Sequence, residues 1–268
     1  VSGRSPTDLT PGEAYEAFLV PALFGPWARA VLARWPPAAG AHVLDVACGT
    51  GVAARLAARL VGPAGRVTAL DLDEGMLAVA RRAAPGARAA PIQWRQGDAL
   101  ALPFEAATFD SVLCFEGIQF FPQRPAGLAQ IRRVLRPGGR LLATIWGALD
   151  ANPAYAALAE GLRAFVSEAA ACLPPFTLAD PEEIRRLVTA AGFDRVGVTA
   201  ETLTFTVPSA ETFVDWVAAG APTTRRALAQ VPAGRRAEFG RLVAARLEPY
   251  RAERGLALPS VRHVVVAG

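Results

Sequence analysis

The chain of 268 residues contains no lysine; all 28 basic residues are arginine. That absence excludes a Schiff-base lysine, the lysine of a phosphate-binding P-loop and a tyrosine–lysine dehydrogenase pair. Histidine is nearly missing as well, with His42 and His263 alone, so neither a catalytic histidine nor a histidine metal site is expected. The three cysteines, Cys48, Cys114 and Cys172, form no C-x-x-C pair. They are read as reduced thiols, with no disulfide framework and no metal centre. No run approaches the roughly 18 consecutive apolar residues of a membrane span. The opening VSGRSPTDLTPGEAYEAF also lacks an apolar h-region behind a basic one. A soluble, cytoplasmic protein without internal repeats is expected.

Hydrophobic residues make up 52% of the chain, enough for one α/β core with an appended cap. The formal charge of +4 is unevenly spread, because eight Arg oppose three Glu between Arg225 and Arg254. Those Arg recur at helical spacing among Ala and Leu without interleaved aromatics, the pattern of solvated helix faces rather than of a nucleic-acid surface.

The N-terminal GEAYEAFLVPALFGPWARAVLARW reads as two short helices interrupted by Pro21 and Pro26. From His42 onward, short apolar runs alternate with helical patterns. Strands are expected at 42–47, 66–72, 92–98, 109–117 and 140–146, a parallel sheet covered on both faces. Asp180, Pro181 and Gly192 bracket a capped helix. The alternating VGVTAETLTFTV and the closing SVRHVVVAG then read as the last two strands. The whole chain, 1–268, is taken as one domain. Residues 1–39 are its helical lid, and 148–178 and 209–255 are helical cap inserts.

The segment VLDVACGTG, Val43 to Gly51, has the form strand, glycine turn, helix. In a doubly wound sheet such a turn lies at the ligand-binding edge. Gly49, Gly51 and Ala54 satisfy G-x-G-x-x-(G/A), so the glycines alone admit a dinucleotide. Asp45 separates the readings: a carboxylate aimed into the turn repels a pyrophosphate and suits a ligand with an ammonium or sulfonium group. Asp71 and Asp98 close the next two strands. There a carboxylate can accept from ribose hydroxyls and from an adenine amino group respectively.

The segments VLDVACGTG, VTALDLDEGML, WRQGDALALPF, FDSVLCFEGIQFF and RRVLRPGGRLLATIW, in that order, resemble the class I, Rossmann-like S-adenosylmethionine (SAM)-dependent methyltransferase family. The resemblance is to its small-molecule branch of quinone-biosynthesis and natural-product enzymes. It implies a doubly wound, mostly parallel sheet of seven strands with the last antiparallel, and SAM as cofactor. It places Asp45, Ala47, Gly49 and Gly51 around the methionine end. Asp71 and Leu72 would serve ribose and adenine, Asp98 and Ala99 would read adenine, and Phe115 would lie beside the sulfonium.

Methyl transfer needs alignment of the acceptor and, for a phenol, amine or enolizable carbon, removal of its proton. With His42 and His263 read as structural, the candidates are Glu116 and Gln119 after strand four and Tyr15 on the N-terminal helix. Phe18 and Trp146 are aromatic neighbours at the same rim. The aromatic content of the inserts favours a hydrophobic or aromatic acceptor, and their Arg would suit a carboxylate or phosphate upon it. The protein is expected to be a monomer or homodimer. The alternatives are an NAD(P)-dependent oxidoreductase on the same sheet and an RNA methyltransferase using the Arg-rich insert. A DNA amino-methyltransferase is disfavoured because Cys114-Phe115-Glu116-Gly117 stands where the Asn/Asp-Pro-Pro-aromatic motif of those enzymes would be. An RNA target would show itself as salt-dependent binding by the 225–254 segment.

Overall fold

A computed structural model of the chain describes residues 6–83, 85–86, 88–167 and 173–268. Cys172, the first five residues of the lid and residues 168–172 of the first insert lie outside the described residues. Among the described residues, eight strands form one sheet: β1 His42–Val46, β2 Arg66–Asp71, β3 Ile92–Gln96, β4 Phe109–Phe115, β5 Leu135–Trp146, β6 Val196–Val207, the two-residue β7 Arg251–Ala252, and β8 Gly255–Ala267. Their order is β3-β2-β1-β4-β5-β8-β6, with β7 paired to β8 in a terminal hairpin. The first five strands run parallel, and β8 pairs antiparallel with both β5 and β6. The seven expected strands are therefore present, and the hairpin strand β7 is an addition.

Alternation along each strand divides the interior into two cores. Val43, Leu113, Leu142 and Val264 face one side; Leu44, Val46, Val112, Cys114 and Val265 face the other. Helix Val52–Val61 packs on the first side through Ala53, Ala54, Ala57 and Ala58. These small side chains let its backbone pack close against β1 and β2. The opposite face is covered by Arg124–Val134 and Pro181–Ala190, through Leu128, Ile131, Ile184 and Val188. Asp180 caps the latter by accepting from the Glu182 N–H, and Gly192 follows it at φ +92°.

The N-terminal segment departs from expectation. Pro11–Arg34 is one continuous helix of 24 residues, not two. It continues through Pro21 because Tyr15–Phe24 is wound as π-helix. Widening the hydrogen-bonded ring to i→i+5 gives the pyrrolidine room, and proline has no N–H to leave unpaired. With mean hydropathy 1.2 this helix is long and apolar enough to cross a membrane, which the run-length reading did not register; half of it is buried in the protein. Leu19, Leu23, Trp27 and Val31 enter the first core. Helix Ala210–Gly220 of the second insert packs against the π-wound segment, and Arg236–Leu247 packs on Pro153–Arg163 of the first insert. Both inserts and the N-terminal helix therefore join above one side of the sheet.

Candidate functional site

The sheet order reverses between β1 and β4. A cavity of about 400 Å³ opens at the carboxyl ends of these strands, a size that suits a small molecule. Its two ends differ in chemistry.

The first end is built by the turns after β1, β2 and β3. Asp71, at the end of β2, accepts from the Gly49 N–H at 2.7 Å and, through its other oxygen, from the Asp73 N–H at 2.9 Å. One carboxylate thus joins the glycine turn to the β2 turn. Burial pushes its pKa up, against these two N–H donors. Leu72 beside it is 69% exposed, an apolar side chain left open at the cavity rim. Asp98 caps the short helical turn after β3, accepting from the Leu100 N–H at 2.8 Å, and Ala99 borders the cavity with it. In the glycine turn, Ala47 and Gly49 adopt left-handed φ of +57° and +56°. Both line the cavity, and a Cβ on Gly49 would meet nothing within 4 Å, so its backbone is open to a ligand.

Gly51 of the turn and Asp45 of β1 do not border the cavity. Gly51 has φ +82°, and a Cβ on it would stand 2.3 Å from the Trp94 ring. Its lack of a side chain serves packing of β3. Asp45 is 1% exposed beneath the turn, with Oδ2 unpartnered. Burial, with Asp71 and Glu116 nearby, pushes its pKa up to about 8, opposed by the Ala54 N–H and by Arg55.

The second end is aromatic. Tyr15, Phe24, Phe115, Trp146 and Tyr155 line it. Tyr15 stacks on Phe24 at 4.9 Å, and Trp146 meets Tyr155 edge-on at 4.9 Å. The first contact follows from the π winding. Nine residues span two and a half α turns and would put the rings on opposite sides, whereas at roughly 4.4 residues per turn they fall on one side. Burial pushes both phenols up in pKa.

Glu116 stands between the two ends. It holds a left-handed φ of +52°, costly for a side chain with a Cβ and typical of functional turns. Its Oε1 accepts from Thr144 Oγ1 at 2.7 Å and from Arg262 Nη1. Burial raises its pKa, and Arg262 and Thr144 oppose the rise. Gln119 does not share this position. Its side chain folds back, donating from Nε2 to the Glu116 carbonyl at 3.0 Å, and stays buried as a brace of the turn. Phe18 likewise points away, stacked on Trp216 at 5.7 Å.

Among the described residues, every charged side chain on the cavity wall is acidic: Asp71, Asp73, Asp98 and Glu116. The insert arginines do not line it, contrary to their expected role toward an anionic acceptor. They are solvent-exposed, and Arg235, Arg246 and Arg251 pair with Glu238, Glu160 and Glu248. Helical spacing had already put them on solvated faces. His42 lies at the opposite strand end, tilted against Phe109, and His263 Nε2 lies 2.8 Å from the Ala179 carbonyl. Sequence reasoning missed Tyr155, Thr144 and Arg262. Only Arg262 left a signal, as a charged residue inside a mostly apolar strand.

A methyltransferase-domain family model matches residues 43–139. A ubiquinone/menaquinone biosynthesis C-methyltransferase of Paracoccus denitrificans is 45% identical over 118 residues, 43% of this chain and 46% of that one. The chain thus spans about half the length of such quinone-pathway relatives. A nocamycin O-methyltransferase of Saccharothrix syringae is 33% identical over 205 residues, covering 72% of this chain and 73% of its own. The same fold occurs in a phosphoethanolamine N-methyltransferase of Haemonchus contortus, solved with S-adenosylhomocysteine, at TM-score 0.60 and 22% identity over 99% of this chain and 58% of that one. The sheet order, the glycine turn and these matches agree: the chain belongs to the class I SAM-dependent methyltransferase family.

Proposed function

We propose that this protein transfers a methyl group from SAM to an O, N or C nucleophile of a small, uncharged, hydrophobic or aromatic acceptor, such as a secondary metabolite or quinone-like compound. The observation that carries the reading is one cavity with an acidic end and an aromatic end that meet at Ala47 and Glu116. The residues present fit SAM. The open backbone at Gly49, the exposed Leu72, and the carboxylates of Asp71 and Asp98 match an adenosyl group and a cationic methionine end. When bound, SAM supplies an electrophilic methyl on a sulfonium.

Asp71 holds the ribose hydroxyls with lone pairs not spent on Gly49 and Asp73. Asp98 and Ala99 read the adenine edge. Asp45, not itself on the wall, favours the cationic end from beneath the turn. The aromatic walls orient a ring and exclude water, which is most of what such a displacement requires. Glu116 takes the acceptor's proton at its carboxylate and Tyr15 closes over the acceptor; Gln119 acts only through the backbone of Glu116. An anionic acceptor would face a wall to which the described residues contribute acidic and no basic side chains.

The quinone C-methyltransferase and the nocamycin O-methyltransferase among the relatives support a small organic acceptor and leave the accepting atom open. The four acidic wall residues weigh against the NAD(P) alternative and against bringing an RNA phosphate to the cavity. The protein is read as a cytoplasmic monomer or homodimer without a resident metal. Calorimetric titration with SAM and with S-adenosylhomocysteine tests the proposal, followed by product mass analysis on a panel of phenols, quinols and amines. Failure of both ligands to bind overturns it.

A further inference from the structure

Arg262 has no exposed surface, yet it belongs to no function described above. It lies on β8 opposite Trp146 of β5, at the edge where the cavity opens. Its Nη1 binds Glu116, while Nε and Nη2 have no hydrogen-bond partner. The planar guanidinium is instead enclosed by rings: Trp146 at 4.3 Å, Trp27 at 4.9 Å and Phe24 at 5.2 Å from its carbon. Two of the three rings belong to the N-terminal helix. A guanidinium tolerates such an enclosure better than an ammonium because it is flat, weakly hydrated and attracted by aromatic faces.

We propose that Arg262 is a positioning residue. It fixes the Glu116 carboxylate at the cavity wall and, through Phe24 and Trp27, makes that carboxylate depend on docking of the N-terminal helix. The same charge serves both contacts. With the helix docked, the cation is cut off from water and its pairing with Glu116 is strong. With the helix lifted, water reaches the guanidinium and the pair weakens. Tyr15, on the same helix, borders Glu116 from the lid side. The other titratable groups facing Glu116 are Tyr155 from the first insert and Asp45 and Cys114 from the sheet edge. All are neutral or acidic, so Arg262 is the one cation the described contacts bring against this carboxylate.

The catalytic consequence rests on Glu116 acting at the acceptor, but the test needs neither acceptor nor turnover. Protein labelled with ¹³C-glutamate is titrated with pH, and the Glu116 carboxyl signal is identified by its loss in E116Q. Hydrogen exchange of residues 15–27 reports docking of the helix. R262Q should move the Glu116 midpoint upward by about one pH unit or more. F24L should displace it, since water admitted as the helix lifts both weakens the Arg262 pair and relieves burial of the carboxylate, and both variants should speed exchange of 15–27. Because R262Q strands a buried carboxylate, E116Q/R262Q is examined beside it and should fold with the helix still poorly protected. An unmoved midpoint in F24L and R262Q overturns the proposal, as does wild-type helix protection in the double variant. Failure of both Arg262 variants to fold, with F24L unchanged, assigns Arg262 to folding alone and also overturns it. Loss of SAM binding would sink the methyltransferase reading without touching these readouts.

Discussion

Replacing Asp45 by asparagine should make the protein more stable at pH 8 and weaker in holding SAM. Asp45 is 1% exposed with one oxygen unpartnered, and its pKa is pushed up to about 8, whereas an unfolded aspartate titrates near 3.8. Between those values the native state keeps a proton that the unfolded chain has released. The native state therefore binds more protons, and stability falls as pH rises. The contribution is whole below about pH 4 and gone above about pH 8, with a slope of at most ~1.4 kcal/mol per pH unit. Asparagine copies the shape of the protonated acid and carries no such dependence. Relative to the wild type, D45N should gain about 2–3 kcal/mol between pH 5 and pH 7. Urea unfolding at pH 5, 6, 7 and 8 measures this, provided the m-value is unchanged. Calorimetry above pH 8, where Asp45 is ionised, should show SAM binding weakened roughly tenfold, because the attraction between a buried carboxylate and the ligand's cationic end is lost. A stability difference that does not vary with pH would refute the burial argument.

Three further outcomes follow from the same geometry. Asp71→Asn turns a donor toward the N–H of Gly49 or of Asp73; an unmet buried donor costs about 1–3 kcal/mol, so thermal unfolding should drop and the SAM Kd should rise by about tenfold or more. Gly51→Ala must hold a left-handed φ and push against the Trp94 ring, a combined cost of roughly 2–4 kcal/mol. Trp94→Leu should recover part of that loss in denaturant unfolding. Glu16→Gln breaks the pair between the N-terminal helix and Arg55, whose other nitrogen holds the Thr50 carbonyl of the glycine turn. Stopped-flow measurement should then show faster SAM release, with the equilibrium stability lowered by about 1 kcal/mol or less.

The sheet was legible because burial on both faces writes itself as short apolar runs, and helices between them as 3.6-residue spacing. The boundaries of β6 and the cap at Asp180 were readable to the residue, since alternation and N-cap chemistry are local. Of the expected site residues, those at strand ends, Ala47, Gly49, Asp71, Leu72, Asp98, Ala99, Phe115 and Glu116, all border one cavity, as does Tyr15. Asp45, Gly51 and Gln119 do not. A motif tells that a side chain stands near a turn, but not which side of the turn it faces.

Sequence by itself determined the order of elements, the glycine turn and the row of carboxylates at successive strand ends, because each depends on neighbours a few positions away. Tertiary structure alone decided the aromatic end. Tyr15 and Phe24 share a face only because the helix is wound wide around Pro21, and Arg262 meets Glu116 across 146 positions of chain. Such contacts depend on which distant surfaces are buried together, and a guanidinium shut among three rings is stable only after the whole core has closed around it.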